Sequence, residues 1–124
     1  MNALPVYAGS VIIVLWGIAH ILPVRSIVAG FGDIAEDNRK IITMEWVASG
    51  LAMIFTGMIA ALAVSAGGAD NPVSRTMVLA SAGMLIVLAA LTALTGARTV
   101  SAPMKLCPFV TTFAALLILA GVFL

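Results

Sequence analysis

Charge is scarce in this chain of 124 residues: six Lys and Arg and five Asp and Glu make up 9% of it, and the formal net charge is +1. That balance leaves no basic patch to follow a phosphodiester backbone, so a nucleic-acid partner is excluded. There is one cysteine, Cys107, which excludes an intramolecular disulfide, a paired-cysteine redox centre and a cysteine-rich metal site. There is also one histidine, His20. It can give one axial ligand, so a bis-histidine haem would need a second chain, and a lone His and Glu are too few to close a metal site. No Lys or Arg precedes Arg25, and a cleavable signal peptide would open on a basic segment, so the first apolar run reads as a retained helix. No nucleophile sits beside a candidate base to justify a named enzyme reaction. No internal repeat relates the two halves, which leaves an inverted-repeat transporter within one chain unsupported.

What is present is apolar. Hydrophobic residues make up 63% of the chain and the mean hydropathy is +1.22, far from the balance of a water-soluble domain. Four uncharged stretches, 1–24, 46–69, 76–97 and 106–124, are each about the ~20 residues that a helix needs to cross a ~30 Å hydrocarbon layer. The expected fold is therefore all-α: one domain, an integral membrane antiparallel four-helix bundle with spans near 4–22, 41–66, 74–97 and 106–124. Gly67, Gly68, Asp70, Asn71 and Pro72 make a tight turn between the second and third spans, and 101–103 serve between the third and fourth. Gly50 and Gly57 on the second span, with Ala80, Gly83 and Ala90 on the third, would let helix backbones approach.

The few basic residues are unevenly placed. Arg25, Arg39 and Lys40 lie in the first loop and Arg98 and Lys105 in the third, against Arg75 alone on the side of the termini. Short loops rich in Lys and Arg stay cytoplasmic, which predicts an N-out, C-out protein of a bacterial-type inner membrane. The first loop, 23–40, is distinctive: Ile27, Phe31 and Ile34 recur at helical spacing, interrupted by Gly30 and Gly32. It reads as a short, bent interfacial segment, with Asp37 placed to cap the second span.

Ionisable groups within apolar spans need a reason to be there. His20 and Glu45 fall at similar depth, roughly 4–8 Å inside the cytoplasmic boundary at 1.5 Å per residue, on helices joined by one loop. Glu45 begins a face that continues through Ser49, Ala52, Thr56 and Ala60. The third span adds Thr92, Thr95 and Thr99 at that end, and the fourth adds Cys107, Thr111 and Thr112. With Trp16, Trp46 and Arg25 these groups would line a cytoplasm-side cavity for a ligand with a polar head and an apolar body. The plainer reading keeps each in ordinary helix packing: Ser and Thr bonded to their own helix, tryptophans anchoring at the interface, and Glu45 tied to Arg25 or Arg98. Trp16 and His20, four residues apart, share a face on which their rings can stack.

The run Trp16-Gly17-Ile18-Ala19-His20-Ile21-Leu22-Pro23, followed by Met44-Glu45-Trp46-Val47-Ala48-Ser49-Gly50-Leu51 and then Gly57, resembles the small four-helix DoxX-like membrane proteins. The resemblance covers about half of the chain and touches His20, Glu45, Gly50 and Gly57. It implies association with membrane-linked oxidoreductase or quinone-related systems. Three functions follow as expectations. The first is a binding or accessory subunit holding a quinone-like or lipid-like molecule, with His20 donating to a carbonyl and Glu45 orienting the imidazole or relaying its proton. The second is a homo-oligomeric transporter or channel using Glu45. The third is a structural subunit bound to a membrane-protein partner.

Overall fold

The structure is a computed structural model that describes residues 1–124. It is helical throughout, with α1 (Ala3–Ile21), α2 (Val24–Ala29), α3 (Glu36–Gly67), α4 (Pro72–Leu94) and α5 (Ala102–Phe123), plus one 3-10 turn, Gly96–Arg98, between the last two. Four of the segments, Ala3–Ile21, Glu36–Gly67, Pro72–Arg98 and Ala102–Phe123, are long and apolar enough to cross a membrane.

Local chemistry sets the ends. The Asn2 side chain accepts the backbone N–H of Leu4 at 3.1 Å and starts α1. Pro23, which has no N–H to donate, follows its end. Asn71 repeats the cap at α4, accepting from Val73 at 2.8 Å with Pro72 at the first helical position. Positive φ at Gly32 (74°) and Gly68 (81°) turns the chain before and after α3.

Two features of the first loop differ from expectation. Residues 36–40, assigned to the loop by their polarity, are the first turns of α3, joined by a Lys40–Glu36 ion pair at 2.8 Å. The N-cap is Ala35, with no side-chain cap bond. Asp37 lies inside the first turn, where with Glu36 it meets the partial positive charge of the helix start without capping it. The periodic part of the loop is realised as α2, stopped at Gly30.

α1 packs against α3 and α5, and α4 packs against the same two helices, so α1 and α4 lie across the diagonal of a four-helix arrangement. Glycine governs the α1–α3 contact. A Cβ on Gly17 would come within 2.8 Å of the Gly50 carbonyl, and one on Gly57 within 2.8 Å of the Ser10 carbonyl. At the other face of α1, the Asn2 N–H donates to the Gly121 carbonyl at 2.7 Å. Ser74 Oγ donates to the Ala63 carbonyl at 2.7 Å, joining α4 to α3. Inside lie Val6, Ile13, Met53, Val78, Leu85 and Ile118, all buried. The outward faces are apolar too, with Leu15, Leu51, Phe55, Val87, Leu91, Phe113 and Leu116 exposed.

Candidate functional site

Pro23 ends α1 and leaves the carbonyls of its last turn short of intrahelical donors. His20 is in that turn. Trp46, on α3, reaches across and its indole N–H donates to the His20 carbonyl at 2.5 Å. The same indole lies flat on the imidazole, with ring centroids 4.4 Å apart and planes 6° from parallel. One side chain of α3 therefore grips both the backbone and the ring of a single α1 residue. Glycine makes the reach possible, because Gly17 and Gly50 let the two backbones meet one turn away.

Expectation and structure part at Trp16. Its spacing on α1 offered a stack with His20, but the partner of His20 is Trp46. The Trp16 indole N–H instead points to the Cys107 sulfur at 3.4 Å. Cys107 and Thr111 are both buried, with Thr111 Oγ1 donating to the Cys107 carbonyl at 2.7 Å. Trp16, Cys107 and Thr111 thus belong to the α1–α5 packing.

The remaining candidates separate. Glu45 is exposed, and the chain's ion pair joins Lys40 to Glu36, so no salt bridge ties Glu45 to Arg25 or Arg98. Ser49 Oγ donates to the Glu45 carbonyl at 2.9 Å, a bond along its own helix. Thr56 does the same to Ala52 at 2.7 Å. Thr92 bonds back to Leu88 at 2.9 Å and Ala89 at 3.1 Å. These hydroxyls satisfy themselves locally, as Ser and Thr do inside helices. No three of the His, Cys, Asp and Glu side chains gather as a metal site would need.

Beside the His20–Trp46 pair runs a groove of about 560 Å³, lined by Ser26, Ile27, Gly30, Phe31, Trp46, Thr99, Val100, Ser101 and Met104. That volume falls in the usual range of a small-molecule site. Its lining is mixed, with aromatic and aliphatic walls from Phe31, Ile27, Trp46, Val100 and Met104 and hydroxyls from Ser26, Thr99 and Ser101. Among the residues singled out from sequence, Trp46 and Thr99 line it. The wall from α2 and the residues after it was legible only as an Ile27–Phe31 periodicity, Ser101 only as part of a turn, and Met104 carried no signal of its own. Arg25 is on another face of α2, in a smaller cleft of about 240 Å³ with Val24, Val28, Arg39 and Thr43. No family model, curated protein or solved structure matches this chain.

Proposed function

We propose that the chain is an integral membrane protein with four antiparallel spans, its termini outside and its α2 and Thr99–Ser101 end in the cytoplasm, and that this end holds an amphipathic, quinone-like or lipid-like molecule against Trp46. Membrane embedding is supported by outward faces as apolar as the core, a pattern that a water-soluble bundle of this size avoids. Antiparallel packing is supported by the pairing of Gly17 with Gly50 and of Ser10 with Gly57, in which position falls along one helix as it rises along the other.

The observation that carries the binding reading is the groove of about 560 Å³, which sets Trp46 among hydroxyls and apolar side chains. A flat, weakly polar head can lie on Trp46 while Ser26 and Ser101 offer hydrogen bonds to its oxygens, the Thr99 hydroxyl being donated to the Gly96 carbonyl at 2.7 Å. An apolar tail can follow Ile27, Phe31 and Met104. His20 acts behind the site: its ring backs the indole and its carbonyl fixes the indole N–H. Glu45, exposed beside Trp46 in sequence, is left at the rim. In this reading the resemblance to DoxX-like proteins on His20, Gly50 and Gly57 reflects the α1–α3 contact that supports the groove.

The test uses protein in lipid nanodiscs titrated with a short-tailed benzoquinone while tryptophan emission is recorded. Saturable quenching that persists in Trp16→Phe and disappears in Trp46→Phe is expected. Linear, unsaturable quenching that is equal in both variants would remove the binding assignment.

A further inference from the structure

α2 divides the cytoplasmic end into two compartments. At 100° per residue, Ser26, Ile27 and Gly30 occupy one face of this short helix, and Val24, Arg25 and Val28 the opposite one. The first face lines the Trp46 groove. The second faces the start of α3 and forms, with Arg39 and Thr43, the cleft of about 240 Å³. Two guanidinium groups thus share one small cleft, and no carboxylate lines it. Glu36 and Asp37 both precede Arg39 on the exposed start of α3; Glu36 is paired with Lys40 at 2.8 Å, and neither Arg25 nor Arg39 makes an ion pair. Thr43 Oγ1 is turned to the Arg39 carbonyl at 2.8 Å. Arg25 and Arg39 therefore line the cleft without an ion-pair partner, and buried Val28 lines it with them.

We propose that this cleft is a second site, which takes the phosphate of an anionic membrane lipid between Arg25 and Arg39. Arginine is suited to the task because its planar fork donates two parallel hydrogen bonds to phosphate oxygens. Basic pockets at the cytoplasmic ends of membrane helices attract anionic headgroups in just this way. Val24 and Val28 would meet the glycerol and first methylenes below the phosphate. The site rests on the bundle lying in a bilayer, as proposed above, but not on what the Trp46 groove binds. A lipid seated there would brace α2 against α3 and so stiffen one wall of that groove.

The experiment places the protein in nanodiscs of equal phosphatidylglycerol and phosphatidylcholine with matched chains, releases it gently and counts retained lipid by native mass spectrometry. The wild-type chain should retain one phosphatidylglycerol in preference to phosphatidylcholine. Arg25→Gln with Arg39→Gln should reduce that preference about thirtyfold, the scale expected when two arginines near the surface are neutralised. Arg75→Gln, beyond the far end of α3, should retain it. Equal preference in the wild type and the double variant would overturn the site. An adduct of added inorganic phosphate that displaces the lipid would overturn the lipid as occupant. A chain that enters nanodiscs without lipid preference refutes this inference alone, whereas one that fails to enter them refutes the membrane reading together with it.

Discussion

Two serines show how the same hydroxyl is used differently at neighbouring helix contacts. Ser74 Oγ donates across to the Ala63 carbonyl at 2.7 Å, while Ser10 Oγ, 2% exposed, has no partner. Removing a made bond loses its net contribution, and removing an unmade one relieves a desolvated polar group. Ser74→Ala is therefore expected to destabilise the bundle by about 1 kcal/mol, and Ser10→Ala to leave it unchanged or stabilise it by up to about 1 kcal/mol. Reversible unfolding by SDS in mixed micelles measures both, and a loss in Ser10→Ala as large as in Ser74→Ala would show that Ser10 has a partner after all. Trp46→Phe belongs to the same scale. It keeps an aromatic ring over His20 but deletes the N–H that meets the His20 carbonyl, for an expected cost of about 1 kcal/mol in the same assay. Sequence brought His20 and the 45–46 pair to one depth, since both are counted from loop ends. It did not tell which of two adjacent residues turns inward, because a 100° step separates them on the helix and only the packing of α1 on α3 selects Trp46.

At the scale of elements, both contacts of α1 are sensitive to added volume, with α3 through Gly17, Gly50 and Gly57 and with α5 through Gly9 and Gly121. A Cβ at Gly57 would lie 2.8 Å from the Ser10 carbonyl and 2.7 Å from Ile13 Cγ2, whereas one at Gly83 on α4 meets nothing within 4 Å. Backbone cannot yield as a side-chain tip can, so Gly57→Ala should push the helices apart and cost about 1–3 kcal/mol. Gly83→Ala should be neutral or gain a few tenths of a kcal/mol, up to roughly 1 kcal/mol, from helix propensity. Unfolding midpoints that moved equally in the two variants would contradict this packing. The four long helices were legible because their apolar runs are unbroken by charge. Their ends were less so: hydropathy marks where a chain becomes polar, which need not be where its backbone hydrogen bonds stop. Residues 36–40 are the clear case, continuing α3 past its apolar part by virtue of ordinary helix formers and the Glu36–Lys40 pair. Gly50 and Gly57 were recognisable as sites of close approach, but nothing local named Gly17 and Ser10 as what they approach.

For the whole molecule, the decisive property is that the interior and the perimeter are both apolar while the ends differ. The core is built on Val6, Ile13, Met53, Leu85 and Ile118, and the buried polar residues among them, Ser10, Thr56, Ser74, Ser81 and Thr111, are all hydroxyl-bearing and uncharged. The two ends are distinguished by Arg and Lys, and the orientation that follows is open to direct labelling. Cys107 is 0% exposed, so the natural cysteine gives little background. Val100, 99% exposed in the segment between α4 and α5, and Asp70, exposed in the turn between α3 and α4, mark opposite ends of the helices. In intact cells a membrane-impermeant maleimide should modify Asp70→Cys at once and Val100→Cys only after the membrane is opened. The reverse pattern would place the termini and the 68–71 turn inside. It would then carry the Trp46 groove and the Arg25–Arg39 cleft to the outer leaflet, and with them the pool of lipids and quinones from which any ligand must come.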